Sequence, residues 1–225
     1  QQIISNQIMR PMADTFVDRI SEFMLLLYKI SGWYDVDMSF KEDQLWGKGK
    51  GCEFTKLECM GKDESGKKVN FEEYCNEKDK LLVQGCDFYY QSPAQCMFNK
   101  VLGDVRCPWM NPSPTQCRVP KTAKPQANLK EKLSENSKCV EFIDTRKKRF
   151  GACYEAKCDA QGKKITLQLG DHEKVITYTG KNNTPNPPQM KVQLGPNMGI
   201  TFLAPKFERF CYNEIHPRDK KPFKR

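Results

Sequence analysis

The sequence predicts an α+β fold: a short helical end followed by a cysteine-rich, loop-rich and mainly antiparallel β body. Three observations carry this expectation. Apolar residues recur at helical spacing early in the chain, eleven cysteines are spread over its middle and end, and apolar and polar residues alternate beyond Cys158. At that cysteine density the expected state is a disulfide framework made in the secretory pathway, because cytosolic thiols are kept reduced. An odd number of cysteines cannot all pair within one chain.

The first predicted element is a helix over residues 11–30. Phe16, Ile20, Phe23, Met24 and Leu27 fall on one face, and Asp14 is placed to cap its start. Gly32 stands where a glycine ends a helix, since it enters the left-handed region without steric cost. The following Trp33-Tyr34 reads as core packing. Gly47-Lys48-Gly49-Lys50-Gly51 superficially resembles a phosphate loop but lacks the Gly-Lys-Ser/Thr ending and a preceding strand, so it reads as a flexible turn.

Between Cys59 and Cys158 the prolines Pro108, Pro112, Pro114, Pro120 and Pro125 break regular structure, leaving one charged helical candidate at 129–137. Strands are predicted at 165–169, 175–179, 190–194 and 200–203 by alternation and β-type residues. The polar, proline-rich stretch 182–188 reads as a loop between them. It contains Asn182-Asn183-Thr184, a formal glycosylation acceptor.

Composition excludes several functions. Charged residues make up 29% and aromatics 11% of the 225 residues, which suits a globular chain. The excess of 37 basic over 28 acidic residues gives +9, read as a lysine-rich solvated surface that also suits an acidic partner or a membrane surface. The basic clusters at 146–149 and 218–225 are not interleaved with stacking aromatics, so no nucleic-acid role is expected. The apolar stretch at 20–30 is far short of the ~20 residues that span a bilayer. His172 and His216 form no His-Glu-x-x-His helix, and no Cys-x-x-Cys occurs, so no catalytic or metal-ligand set is expected in this chain. A Cys-His nucleophile is set aside because the framework consumes its thiol.

The segments Ser31-Gly32-Trp33-Tyr34-Asp35-Val36, Trp46-Gly47 and Gly51-Cys52-Glu53-Phe54, with Cys59, resemble the leishmanolysin family of zinc metallopeptidases. The later Cys75, Cys86, Cys96, Cys107, Cys117, Cys139, Cys153, Cys158 and Cys211 are similar in order and spacing, so the resemblance covers almost the whole chain. It implies that residues 1–57 are the end of a metzincin-type catalytic unit and 58–225 the cysteine-rich C-terminal domain. Gln7-Ile8-Met9-Arg10-Pro11 looks like the family's Met-turn, which makes Met9 an apolar support beneath a zinc site and not a ligand. The resemblance places the zinc-binding helix upstream of Gln1, and zinc is then expected only in the complete enzyme. The start at Gln1 rather than Met fits a chain from which something upstream has been lost.

The family's pairing would join Cys59 to Cys107, Cys75 to Cys96, Cys86 to Cys139, Cys117 to Cys153 and Cys158 to Cys211, with Cys52 bonded to the upstream catalytic segment or a separate chain. A further family bridge is lost as a unit near Ile176 and Ala204, where apolar residues stand. The expected function is that of the C-terminal part of a leishmanolysin-like zinc metalloendopeptidase, not catalytic by itself and acting on protein substrates once completed. The alternative is a non-catalytic module used for adhesion or assembly. Either is expected outside the cell or at its surface.

Overall fold

The computed structural model describes residues 20–55, 59–62, 66–75, 84–97, 107–114, 116–118, 129–161, 163–179, 184–186, 188–195 and 198–215. Met9, Asn182, His216, the 218–225 cluster and the first part of the predicted helix, with Asp14, lie outside them. The chain packs as two compact units, residues 1–76 with 98–109 and residues 77–97 with 110–225. The expected boundary at 57/58 thus falls inside the first unit.

In the first unit, α1 is Glu22–Ile30. Its N-cap is Ser21, whose hydroxyl accepts from the Met24 backbone N–H at 3.3 Å and so satisfies one of the helix's orphan donors. Ser21 also forms a parallel bridge with Glu42, and the Glu42 N–H donates to the Ile20 carbonyl at 2.7 Å. That pairing holds Ile20 and Ser21 outside the helix, so of the helix predicted over 11–30 the described part is Glu22–Ile30, and residues 11–19 lie outside the described residues. Gly32 ends the helix as expected, with φ +70. Two other expectations fail. Met24 is the helix's only buried residue, while Phe23, Leu27 and Ile30 face solvent, and Trp33, read as core, is 84% exposed.

A 3-10 turn, Met38–Phe40, leads to the glycine turn at 47–51 and to the short helix α2, Gly51–Thr55. This turn is built rather than loose. The Gly47 N–H donates to Glu73 Oε1 at 3.1 Å, Gly47 and Gly51 both have φ +73, and a Cβ at Gly47 would lie 2.4 Å from the Phe54 ring. Phe54 stacks on Tyr74 at 5.5 Å and meets Phe71 edge-on at 5.3 Å, and Trp46 meets Tyr74 edge-on at 5.9 Å. These rings form a small aromatic core of the kind that gains from edge-to-face contact beyond its area. Strands β1, Met60–Lys62, and β2, Lys68–Asn70, pair antiparallel. Cys59–Cys107 closes the unit. Gly47→Ala combines left-handed strain with a ring displacement, so it is expected to cost about 2 kcal/mol, read as a lowered thermal midpoint with weakened near-UV circular dichroism.

The second unit contains a three-stranded sheet in the order β3-β4-β5, made of β3, Gln84–Cys86, β4, Pro93–Met97, and β5, Trp109–Pro112. Its larger sheet comprises β6, Ser137–Ile143, β7, Arg149–Asp159, β8, Lys164–Leu169, β9, His172–Thr179, β10, Thr184–Asn186, β11, Gln189–Gly195, and β12, Met198–Leu203. The strand order is β10-β9-β8-β7-β6-β12-β11. The two edge strands, β10 and β11, are therefore consecutive in the chain. Laid flat, seven strands would separate them by roughly 29 Å. Residues Asn186 and Gln189 are at most about 11 Å apart along the chain. The sheet must curl until its edges approach, and its concave face encloses Val140, Phe142, Tyr154, Ile165, Leu167, Leu169, Ile176 and Phe202, all essentially inaccessible to water.

The four predicted strands are present. Three other readings change. The helix expected at 129–137 is absent: the Leu129 carbonyl accepts from the Tyr154 hydroxyl, Glu131 accepts from the Cys153 N–H at 3.0 Å, and the Lys132 N–H donates to the Cys153 carbonyl at 3.0 Å. Bonds to β7 replace the helical i to i−4 bonds and override propensity. The loop predicted at 182–188 contains β10, paired with β9, and Pro185 is tolerated there because β10 is an edge strand. Finally, the region read as loop-rich up to Cys158 ends in β6 and β7, paired from Ser137–Glu155 to Ile143–Arg149.

Candidate functional site

The cysteines supply the framework. Cys86–Cys139, Cys117–Cys153 and Cys158–Cys211 lie in the second unit, Cys59–Cys107 in the first, and Cys75 and Cys96 are also disulfide-bonded. Cys52 is exposed at the start of α2. Ile176 is fully buried in the core of the second unit, and Ala204 packs against the same core.

Beneath Cys86–Cys139 two sheets cross at unusually close range. Glu141 Oε1 accepts from the Cys86 N–H at 3.0 Å, and the other Glu141 oxygen is bonded by Arg149. Gly85 and Gly151 face each other here: a Cβ on Gly151 would lie 2.1 Å from the Gly85 carbonyl oxygen and 2.8 Å from Cys139 Sγ. Next to this crossing, buried Asp87 organises the turn into β4 by accepting N–H bonds from Tyr89 at 3.1 Å, Gln91 at 2.6 Å and Ser92 at 2.7 Å. Such a turn is structural, since every donor it uses is its own backbone.

Among the described residues the one strongly perturbed amine is Lys138. Its Nζ donates to the Phe210 carbonyl and to Glu214 Oε2 at 2.8 Å, and lies 4.9 Å from the centre of the Phe210 ring. Burial lowers its pKa to about 8 against the opposing pull of Glu214, with Arg118 adding to the lowering. A lysine in that range suits general base chemistry. Here the side chain is 5% exposed and surrounded by its own partners, so no substrate can reach it. It instead joins β6 to α3, Phe207–Phe210, and α4, Tyr212–Ile215.

Among the described residues none is grouped to form a zinc centre. His172 is exposed at the first position of β9, and among the described residues no group of three or more His, Cys, Asp or Glu could hold a metal ion. No helix of the described residues is long and apolar enough to cross a membrane.

The surface that sequence reading missed is α1. Phe23 is 70% and Ile30 81% exposed, and Leu26, Leu27, Trp33 and Tyr34 are exposed with them. Tyr28 and Tyr34 meet edge-on at 5.3 Å. The signal was in the helix itself, whose run Phe23-Met24-Leu25-Leu26-Leu27 is apolar on all sides, and a helix apolar on all sides is one that is covered. Isolated exposed apolar residues need no explanation, but a contiguous group marks an interaction surface.

Comparison with the curated proteins finds no match to the chain. The leishmanolysin family model matches residues 1–186, which takes in α1, the glycine turn with Cys52, and the sheet through β10, and stops before β11. That match covers most of the chain, and the disulfide-linked, mainly antiparallel architecture is consistent with a metallopeptidase-derived fold. On this evidence the chain belongs to the leishmanolysin family.

Proposed function

We propose that this chain is the C-terminal scaffold of a leishmanolysin-like zinc metalloendopeptidase and does not cleave peptides by itself. The observation that carries this reading is the uncovered apolar surface of α1, together with a sequence that offers no His-Glu-x-x-His. In this reading an upstream catalytic segment, or a separate chain, covers Phe23, Ile30 and Trp33 and is bonded through exposed Cys52. That segment would supply the histidines and zinc, which activates water for peptide hydrolysis when bound. Met9 would lie under the zinc site as its floor, and Asn182 would carry a glycan. Family membership and the disulfide-rich fold are compatible with a place outside the cell or on its surface.

A second reading is favoured by the density of disulfides and by the absence of a metal-holding cluster among the described residues: a secreted or surface module derived from the fold and used for adhesion. One comparison separates them. The chain is produced in a secretory host with and without its native upstream coding segment, and each product is assayed on a denatured protein substrate, with zinc measured per molecule. The enzyme reading expects cleavage and one zinc only in the longer product, and one additional titratable thiol in its denatured, non-reduced Cys52→Ser variant, left by the upstream cysteine that Cys52 bonds. A longer product without zinc or activity would leave the module.

A further inference from the structure

The β6–β7 hairpin carries a feature that the scaffold role does not use. Arg146-Lys147-Lys148-Arg149 is the only run of four consecutive basic residues in the sequence, and all four are exposed: Arg146 to Lys148 form the turn at the hairpin tip and Arg149 opens β7 opposite Ile143. We propose that this tip is a processing site, cut between Arg149 and Phe150 by a serine endoprotease whose acidic subsites read consecutive basic residues.

Three observations support the assignment. Arg146 to Lys148 lie in an exposed turn, the kind of place where chains are nicked, and the bond itself is the first peptide of β7, so cutting it requires the Ile143–Arg149 and Phe142–Phe150 end of the hairpin to fray. The charges are on offer, since no described carboxylate forms a salt bridge with Arg146, Lys147 or Lys148, and the neighbouring Asp144 is occupied with backbone, accepting from the Arg146 and Lys148 N–H groups at 2.8 Å each. The framework also tolerates the cut. Cleavage would give chains 1–149 and 150–225, and Cys117–Cys153 crosses between them while six β6–β7 pairs, Ser137–Glu155 to Phe142–Phe150, join the two chains. The product is a two-chain molecule held by sulfur and sheet.

The same geometry sets the rate. A protease binds its substrate extended, whereas this tip is a closed turn in which the Lys147 N–H donates to the Asp144 carbonyl, the Asp144 N–H donates to the Lys148 carbonyl, and Lys147 has φ +61. Arg149 is additionally bonded to Glu141. Cleavage therefore proceeds from a briefly opened tip, and its rate follows the population of that open form. In the step itself the Arg149–Phe150 amide C–N bond breaks, and water supplies the new carboxylate oxygen on Arg149 and the proton on the Phe150 amine.

The test incubates the full, oxidised chain with a purified paired-basic-specific serine endoprotease. The expected result is a single cut after Arg149, an intact mass increased by one water, and two fragments that separate only on reduction. Arg146→Ala, at an exposed position, should abolish the cut without altering the fold, and Asp144→Ala should accelerate it several-fold by loosening the turn. The proposal is overturned if the oxidised chain resists cutting at 149 while the reduced, unfolded chain is cut there by the same enzyme. It is equally overturned if the fragments part without reductant, or if other sites are cut first with 146–149 intact.

Discussion

Gly151→Ala is expected to be among the most damaging single substitutions in this protein, although it adds one methyl group. The Cβ would fall 2.1 Å from the Gly85 carbonyl oxygen, 2.6 Å from its carbonyl carbon and 2.8 Å from Cys139 Sγ. Backbone and a disulfide sulfur form the obstacle, so no flexible side chain can swing away. Relief requires β3 to lift from β7, which stretches the Cys86–Cys139 bridge and the 3.0 Å bond from the Cys86 N–H to Glu141. Overpacking of this kind costs typically 1–3 kcal/mol, and with an adjacent buried bond disturbed a loss of roughly 3 kcal/mol or more is expected. Urea unfolding of the oxidised protein measures it. A midpoint unchanged from wild type would mean that the two strands do not cross so closely.

Removing Glu214 is expected to hurt more than removing the lysine it pairs with. Glu214→Ala leaves the Lys138 ammonium enclosed without a counter-charge, facing only the neutral Phe210 carbonyl and ring and the Cys158 sulfur at 3.8 Å, a loss of roughly 3 kcal/mol. Lys138→Met removes the buried charge and fills the same space, and should lie within about 1 kcal/mol of wild type. The pH dependence gives the sign independently. Burial lowers the Lys138 pKa from 10.5 in the unfolded chain to about 8 in the folded one, so the unfolded state holds the proton more tightly between those values. Stability contributed by this group is then fully present above pH 10.5 and lost as pH falls through about 8, by on the order of 3 kcal/mol in all. Urea midpoints measured between pH 7.5 and 10.5 should rise in wild type relative to Lys138→Met. Parallel curves for the two proteins would remove the claim that Lys138 is buried as a cation.

Much of the β-body was legible because alternation reports burial directly. Ile165, Leu167 and Leu169 on β8 and Ile176 and Tyr178 on β9 alternate with polar neighbours, and every one of them faces the core. β6 was not legible for the complementary reason. All but the last of its residues are buried, on one side by the concave core and on the other by β3 and its disulfide, so Lys138, Glu141 and Cys139 interrupt the apolar pattern while remaining inside. Fully buried strands carry no period to read. The residues around Leu129 misled in another way, since their helical composition was overruled by hydrogen bonds to a strand more than twenty positions later.

The candidate surface on α1 shows the limit from the other side. The helical spacing held over Phe23, Met24 and Leu27, but sharing a face does not say what covers it, and of those only Met24 is buried. By itself the sequence determined the oxidised character of the molecule, the glycine that ends α1, and the strands whose two faces differ in polarity, because composition and period are local properties. The tertiary structure alone decided that consecutive edge strands curl the sheet closed, that Gly85 and Gly151 meet, and that Lys138 is enclosed. Each of those depends on residues distant in sequence meeting at contact range, and no window along the chain contains that information.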